Sequence, residues 1–135
     1  MVTIFLDFDG CVLEHSTEDY FITHDKEWLD WKEFTNKLLP GVREKVLDWY
    51  CQGHIIIITT GRPEIQREIL TNFLAKAGIY CHQIVMSCGS GPRYLINDID
   101  PLHPSQPKAI SINIDRNEGI GNLDLTSHDK PSKKL

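Results

Sequence analysis

The sequence predicts an α/β fold, a doubly wound parallel sheet with helices between its strands. Three observations carry that expectation. Short aliphatic and β-branched runs without helical spacing, such as Val2–Leu6 and Ile55–Thr60, alternate with segments whose apolar residues recur every three or four positions. No hairpin signal joins consecutive runs, so the connections read as right-handed crossovers between parallel strands. At 135 residues the chain is the size of one domain with a single core.

The first run, Val2-Thr3-Ile4-Phe5-Leu6, is expected to be a central strand buried on both faces. It continues into Asp7-Phe8-Asp9-Gly10. In an extended chain, residues two apart point to the same side, so Asp7 and Asp9 share the carboxyl end of the strand, where open α/β sheets bind ligands. Adjacent like charges cost free energy unless a cation or strong donors neutralise them. Gly10 then allows the chain to turn away.

Residues 15–36 are polar, acidic and aromatic, with Trp28, Leu29, Trp31 and Phe34 at helical spacing. They read either as a connector packed on the core or as a flap over the strand ends. A helix opens at Leu39-Pro40-Gly41, with Val42, Val46, Leu47 and Trp49-Tyr50 on its apolar side, and stops at Gly53. The second strand, Ile55–Thr60, ends in a glycine turn, Thr60-Gly61-Arg62-Pro63. Pro63 to Ala77 reads as a helix carrying Ile65, Ile69, Leu70, Phe73 and Leu74, with Gly78 as its C-cap. Ile84–Met86 is a short third strand, residues 94–100 a fourth that again ends in carboxylates, and residues 109–114 a fifth. From 122 to 135 the chain is a polar tail.

Composition narrows the function classes. A hydrophobic content of 41% and a charged content of 24% are those of an ordinary globular domain. A net charge of −5 offers no general attraction to nucleic acid. Apolar runs such as Ile55–Ile58 are far short of the roughly 20 residues of a membrane span. Four cysteines without a CxxC suggest reduced thiols, and strand-forming sequence from Val2 leaves no signal-peptide pattern, so a cytoplasmic location is expected. Cys81, His82 and Cys88 do not read as a zinc site, because adjacent strand residues face opposite sides.

On these residues the chain resembles a known family. FLDFDGCV is similar to the first motif, DxDGT, of the haloacid dehalogenase (HAD) superfamily of phosphatases, with Cys11 standing where Thr or Val is usual. The resemblance implies that Asp7 is a nucleophile and Asp9 a general acid/base. IIIITTGRP resembles the second motif, which implies phosphoryl binding by Thr60 (Thr59 being the alternative) in a turn completed by Gly61 and Arg62. Arg62 is then either a substrate contact or a solvated cap of the turn. The third element is a basic residue, for which Arg93 is the candidate and Lys76 reads as a surface charge. The fourth is acidic and matches Asp98, with Asp100 one step beyond the strand end.

This resemblance spans residues 2–115 and implies a five-stranded sheet of order 5-4-1-2-3 in a domain over residues 1–121, with no separate cap domain. It also implies Mg²⁺ held by Asp7, the Asp9 backbone carbonyl and Asp98, oxygen donors of the kind that ion takes. The expected activity is Mg²⁺-dependent hydrolysis of a phosphomonoester through an aspartyl-phosphate. GPRYLINDID and AISINIDRNEG are similar to small capless members, which suggests a sugar phosphate as substrate. The expected partner is thus a small phosphate ester, without membrane or nucleic acid, and a homo-oligomer neighbour could help cover an open site. The competing readings are a HAD-fold module that binds a phosphorylated ligand or a protein without turnover, and a phosphatase of nucleic-acid ends.

Overall fold

The structure, a computed structural model, describes residues 1–15 and 37–128. The flap or connector expected at residues 15–36 and the last part of the tail therefore lie outside the described residues, apart from His15. The elements in order are β1 (Thr3–Asp7), α1 (Val42–Cys51), β2 (Ile55–Thr59), a 3₁₀ turn (Glu64–Gln66), α2 (Arg67–Ala77), β3 (Gln83–Val85) and a second 3₁₀ turn (Leu125–His128). This is an α/β arrangement of Rossmann-like type. Among the described residues the sheet has three parallel strands in the order β1-β2-β3.

β1 and β2 pair from Thr3 beside Ile55 to Asp7 beside Thr59. Burial alternates along both strands: Ile4, Leu6 and Phe8 are buried with Ile56, Ile58 and Thr60, while Thr3 and Phe5 are exposed. The expectation that β1 is buried on both faces is therefore corrected. Two right-handed crossovers that advance the same way across a sheet place both helices on one face. Only that face is covered by α1 and α2 among the described residues.

The core joins Ile4, Leu6 and Phe8 to Val42, Val46 and Trp49 of α1 and to Ile69, Leu70, Phe73 and Leu74 of α2. Phe8 meets Phe73 edge to face, with ring centroids 5.9 Å apart and planes at 84°. Leu47 and Tyr50, expected on the apolar side of α1, are instead exposed. The helix expected from Pro63 begins at Arg67, because Pro63 is extended (φ −71°, ψ 156°) and a 3₁₀ turn intervenes. Ile65 in that turn points outward, and Gln66 is buried in its place. Gly78 closes α2 in the left-handed conformation, φ 74°, as expected.

The expected fourth and fifth strands are not strands in this structure: residues 94–100 and 109–114 have no ladder partner among the described residues. A strand is held by hydrogen bonds to a neighbour, and here the outer edge of β1 is separated from Leu95, Asn97 and Ile112 by a cavity of about 920 Å³. Tyr94, Ile96 and Ile99 are exposed as a result. No helix among the described residues is long and apolar enough to cross a membrane.

Candidate functional site

The carboxyl ends of β1 and β2 bring five of the sequence-predicted residues together: Asp7, Asp9, Thr60, Gly61 and Arg62. Asp7 ends β1 with Thr59 in register beside it, and the ladder continues one residue further through Phe8 N–H to the Thr59 carbonyl, 3.0 Å. The chain then winds back on itself. Val12 and Leu13 both donate to the Phe8 carbonyl, at 2.8 and 3.1 Å, and Gly10 N–H donates to the Leu13 carbonyl at 2.8 Å. Gly10 takes φ +85°, and a Cβ there would lie 3.4 Å from the Arg116 side chain.

Asp9 is paired with Arg62 through both carboxylate oxygens. Arg62 Nε donates to Oδ2 at 3.0 Å and Nη2 to Oδ1 at 2.7 Å, a fork-to-fork geometry. Nη1 of the same guanidinium donates to Gln66 Oε1 at 3.0 Å, and its carbon lies 5.7 Å from the centroid of the Phe8 ring. The pair is largely shielded, with 12% of the Arg62 side chain and 25% of the Asp9 side chain exposed. Of the two readings of Arg62, a solvated cap is excluded by this geometry.

Asp7 is half-buried, and its burial raises its pKa above the usual carboxylate value. The Arg93 charge pulls in the opposite direction, the Asp9 charge adds to the rise, and the Phe8 backbone N–H and the His15 charge oppose it. Arg93 thus acts on Asp7 from the loop after β3, where its Nη2 also donates to the Gly89 carbonyl at 3.3 Å. Lys76 lies exposed in the last turn of α2. Cys11 is partly buried, and burial together with the Asp7 charge pushes its thiol up to about 11, so it remains protonated at neutral pH.

Thr60 is fully buried and its Oγ1 accepts from the Arg62 backbone N–H at 3.1 Å, which shapes the turn from within. The hydroxyl in register with Asp7 belongs to Thr59. Gly61 packs against the loop after β3 so closely that a Cβ would meet the Gly89 carbonyl oxygen at 2.7 Å. Cys88 N–H to the Thr60 carbonyl (2.9 Å) and Ser87 N–H to the Arg62 carbonyl (2.8 Å) tie the two loops together.

Asp98 is exposed, and Asp100 is engaged locally, accepting from Leu102 N–H at 3.0 Å and facing His103 Nδ1 at 3.1 Å. Among the described residues no three His, Cys, Asp or Glu side chains are grouped to hold a metal ion. Asp7 and Asp9 supply hard oxygen donors at one strand end, and Asp98 is not beside them.

Sequence reasoning missed two residues that shape the site. Gln66 is buried four positions after Arg62 and receives its guanidinium, but Pro63 is extended between them, so no helical spacing signalled the contact. Asn117 holds the far side of the Gly10 loop. Its backbone N–H donates to the Gly10 carbonyl (2.9 Å), its Oδ1 accepts from His15 N–H (2.7 Å), and its Nδ2 donates to the His15 carbonyl (3.1 Å). Asn117 has φ 65°, a conformation that asparagine tolerates better than most residues, and Asn two residues before Gly119 was a readable turn signal.

No family model matches the chain, and no curated protein matches it. Among solved structures the chain is similar to a crystal structure of a target protein from Vibrio cholerae, at 21% identity and a TM-score of 0.45, over 71% of this chain and 80% of that one.

Proposed function

We propose that the protein is a phosphatase of the haloacid dehalogenase type, hydrolysing a phosphate monoester through covalent attack by Asp7. One observation carries the reading: a half-buried carboxylate ends the first strand, in register with a hydroxyl and under the charge of Arg93, with a second carboxylate two residues on. An Asp7 oxygen attacks phosphorus, the bond to the leaving oxygen breaks, and water then cleaves the aspartyl-phosphate. Asp9 stands where the protons of these two steps are handled. Arg93 and the Thr59–Gly61 turn face the charge that develops on the phosphoryl oxygens, which is commonly the largest catalytic term.

The cofactor in this reading is Mg²⁺, which when bound neutralises phosphoryl charge. The donor set at the strand end fits it in part: the Asp7 carboxylate, which burial and Asp9 make costly to ionise alone, and the Asp9 backbone carbonyl are hard oxygens. Asp98 would complete the set if its segment pairs with β1. We place residues 94–98 on the outer edge of β1 and residues 109–114 beyond them, which gives the order 5-4-1-2-3. Three features support this. Among the described residues the outer edge of β1 has no partner strand, a liability that proteins normally cover. Tyr94, Ile96 and Ile99 leave large apolar surface exposed where they stand. Ile110, Ile112 and Ile114 all line the cavity, the alternation of a strand with one buried side.

The non-catalytic binding module is the second reading, and it draws on the occupation of both Asp9 oxygens by Arg62. Turnover separates the two. With Mg²⁺ present, the wild type is expected to release phosphate from 4-nitrophenyl phosphate, and Asp7→Asn to lose at least about 1,000-fold in kcat/KM, roughly 4 kcal/mol of barrier. Near wild-type activity in Asp7→Asn removes the nucleophile assignment. A wild type without turnover of any phosphate ester leaves the binding module.

A further inference from the structure

From the turn that carries Arg116 onto the Gly10 loop we infer that Arg116 receives a second anionic group of the substrate. The phosphate ester taken by the site then bears a carboxylate or a second phosphate near the ester that is cleaved. This inference rests on the phosphatase reading and deepens it, because it names the class of ester.

Arg116 is exposed, and an exposed arginine in a turn is ordinarily a solvated charge. Here the turn is built onto the loop that follows Asp9. Asn117 N–H donates to the Gly10 carbonyl at 2.9 Å, and the Asn117 side chain takes both backbone groups of His15, at 2.7 and 3.1 Å. The Arg116 stem lies against Gly10 itself, since a Cβ there would meet Arg116 Cγ at 3.4 Å. On the other side the chain passes through Gly119, packed on Leu39 and Pro40, into the core at Ile120, which is 1% exposed. The Arg116 backbone is therefore fixed from two directions and its side chain is free to meet a ligand, an arrangement that lowers the ordering cost of binding.

The other cations around the strand ends are already engaged. Arg62 is spent on Asp9, Lys37 lies 3.9 Å from Glu14, and Arg93 acts on Asp7, where the scissile phosphoryl group goes in this reading. The Arg116 side chain has no ion pair or hydrogen bond among the described residues. Its acidic neighbours close the turn instead: Glu118 N–H donates to the Asp115 carbonyl at 3.1 Å, and Glu118 Oε2 accepts from Asp115 N–H at 3.3 Å. A chain of net charge −5 draws a doubly anionic ester only through local positive charge. The planar guanidinium matches a carboxylate or a phosphate with two parallel hydrogen bonds, which a lysine does not provide. The second anion takes no part in bond making, so it strengthens binding of substrate and transition state together.

The test measures kcat and KM, with Mg²⁺ present, on two matched pairs of esters. 3-Phosphoglycerate against glycerol 3-phosphate isolates a carboxylate, and fructose 1,6-bisphosphate against fructose 6-phosphate isolates a second phosphate. The wild type is expected to favour the doubly anionic member of one pair by about 10-fold or more in kcat/KM. Arg116→Gln is expected to remove about 10-fold of that preference, chiefly through a raised KM, and Arg116→Lys to keep part of it. The pair that responds tells carboxylate from phosphate. Folding is checked by circular dichroism, and Arg116→Lys decides the matter if Arg116→Gln does not fold. No preference in the wild type, a preference that survives in the variants, or an equal fall in kcat for both members of a pair overturns the inference and leaves the phosphatase reading intact. No turnover of these esters or of 4-nitrophenyl phosphate by the wild type overturns both.

Discussion

Residues 2–10 and residues 94–100 are written in the same way, an aliphatic run leading into acidic residues at alternating positions, yet they occupy opposite states. In the first, Thr3–Asp7 is hydrogen-bonded to β2 along its whole length and Phe8 is sealed between the sheet and α2. In the second, Tyr94, Ile96 and Ile99 stand in solvent and Asp98 is exposed. The intrinsic tendency to extend is shared, so it cannot be what separates them. Paired backbone and a helix to cover one face are the difference, and both come from elsewhere in the chain. A carboxylate becomes chemically useful under the same conditions. Asp7 is perturbed because neighbours and burial surround it, and Asp98, at the equivalent place in its run, is in water.

Side-chain truncation gives the largest effect with which to break this comparison. Phe8→Ala removes a fully buried ring and is expected to cost about 3–5 kcal/mol in urea unfolding. If residues 94–98 pair with β1 as proposed, Ile96→Ala costs about 2–3 kcal/mol and the two regions prove alike. A loss below about 0.5 kcal/mol keeps them distinct and removes the five-stranded sheet.

Glycine substitution sharpens the contrast between a packed loop and an open one. Gly61→Ala drives a methyl into the Gly89 carbonyl and is expected to cost about 1–3 kcal/mol, with lowered turnover because the turn beside Asp7 must shift. Gly91→Ala meets nothing within 4 Å and is expected to change stability by no more than about 0.5 kcal/mol. Equal effects at the two sites would show that the close approach of the loops is not what holds the turn.

The smallest effect lies in the pH dependence of stability. Burial raises the Asp7 pKa, so in the folded protein the charged form is disfavoured. A carboxyl shifted upward favours the fold while it is protonated, below the usual value of 3.8, and that contribution is lost as pH rises through the raised value. Asp7→Asn should therefore melt at a higher temperature than wild type at neutral pH, with the gap closing as the solution is acidified below 3.8. A gap that widens on acidification instead would mean that neighbouring positive charges outweigh burial at this position.

Much of the site is legible in the sequence. The parallel strands β1 to β3, the helices between them, the left-handed stop at Gly78 and the pairing of Asp7 and Asp9 at a strand end all follow from periodicity and turn chemistry, which act over a few residues. Other features depend on contacts distant in sequence. The partner of Asp9 is 53 residues away, the loop that Asn117 braces is more than 100 residues away, and the approach of Gly61 to Gly89 joins two separate turns. Ile65 shows the limit of periodicity even at short range: it fits the helical stripe, but Pro63 delays the helix, so Ile65 faces water and Gln66 goes inside to receive Arg62. The sequence by itself determined which residues could form strands, helices and turns, because those preferences are carried by each residue and its nearest neighbours. Only the tertiary structure decided which carboxylate was buried and which guanidinium met it, because burial and ion pairing are set by what the rest of the chain brings to the same place.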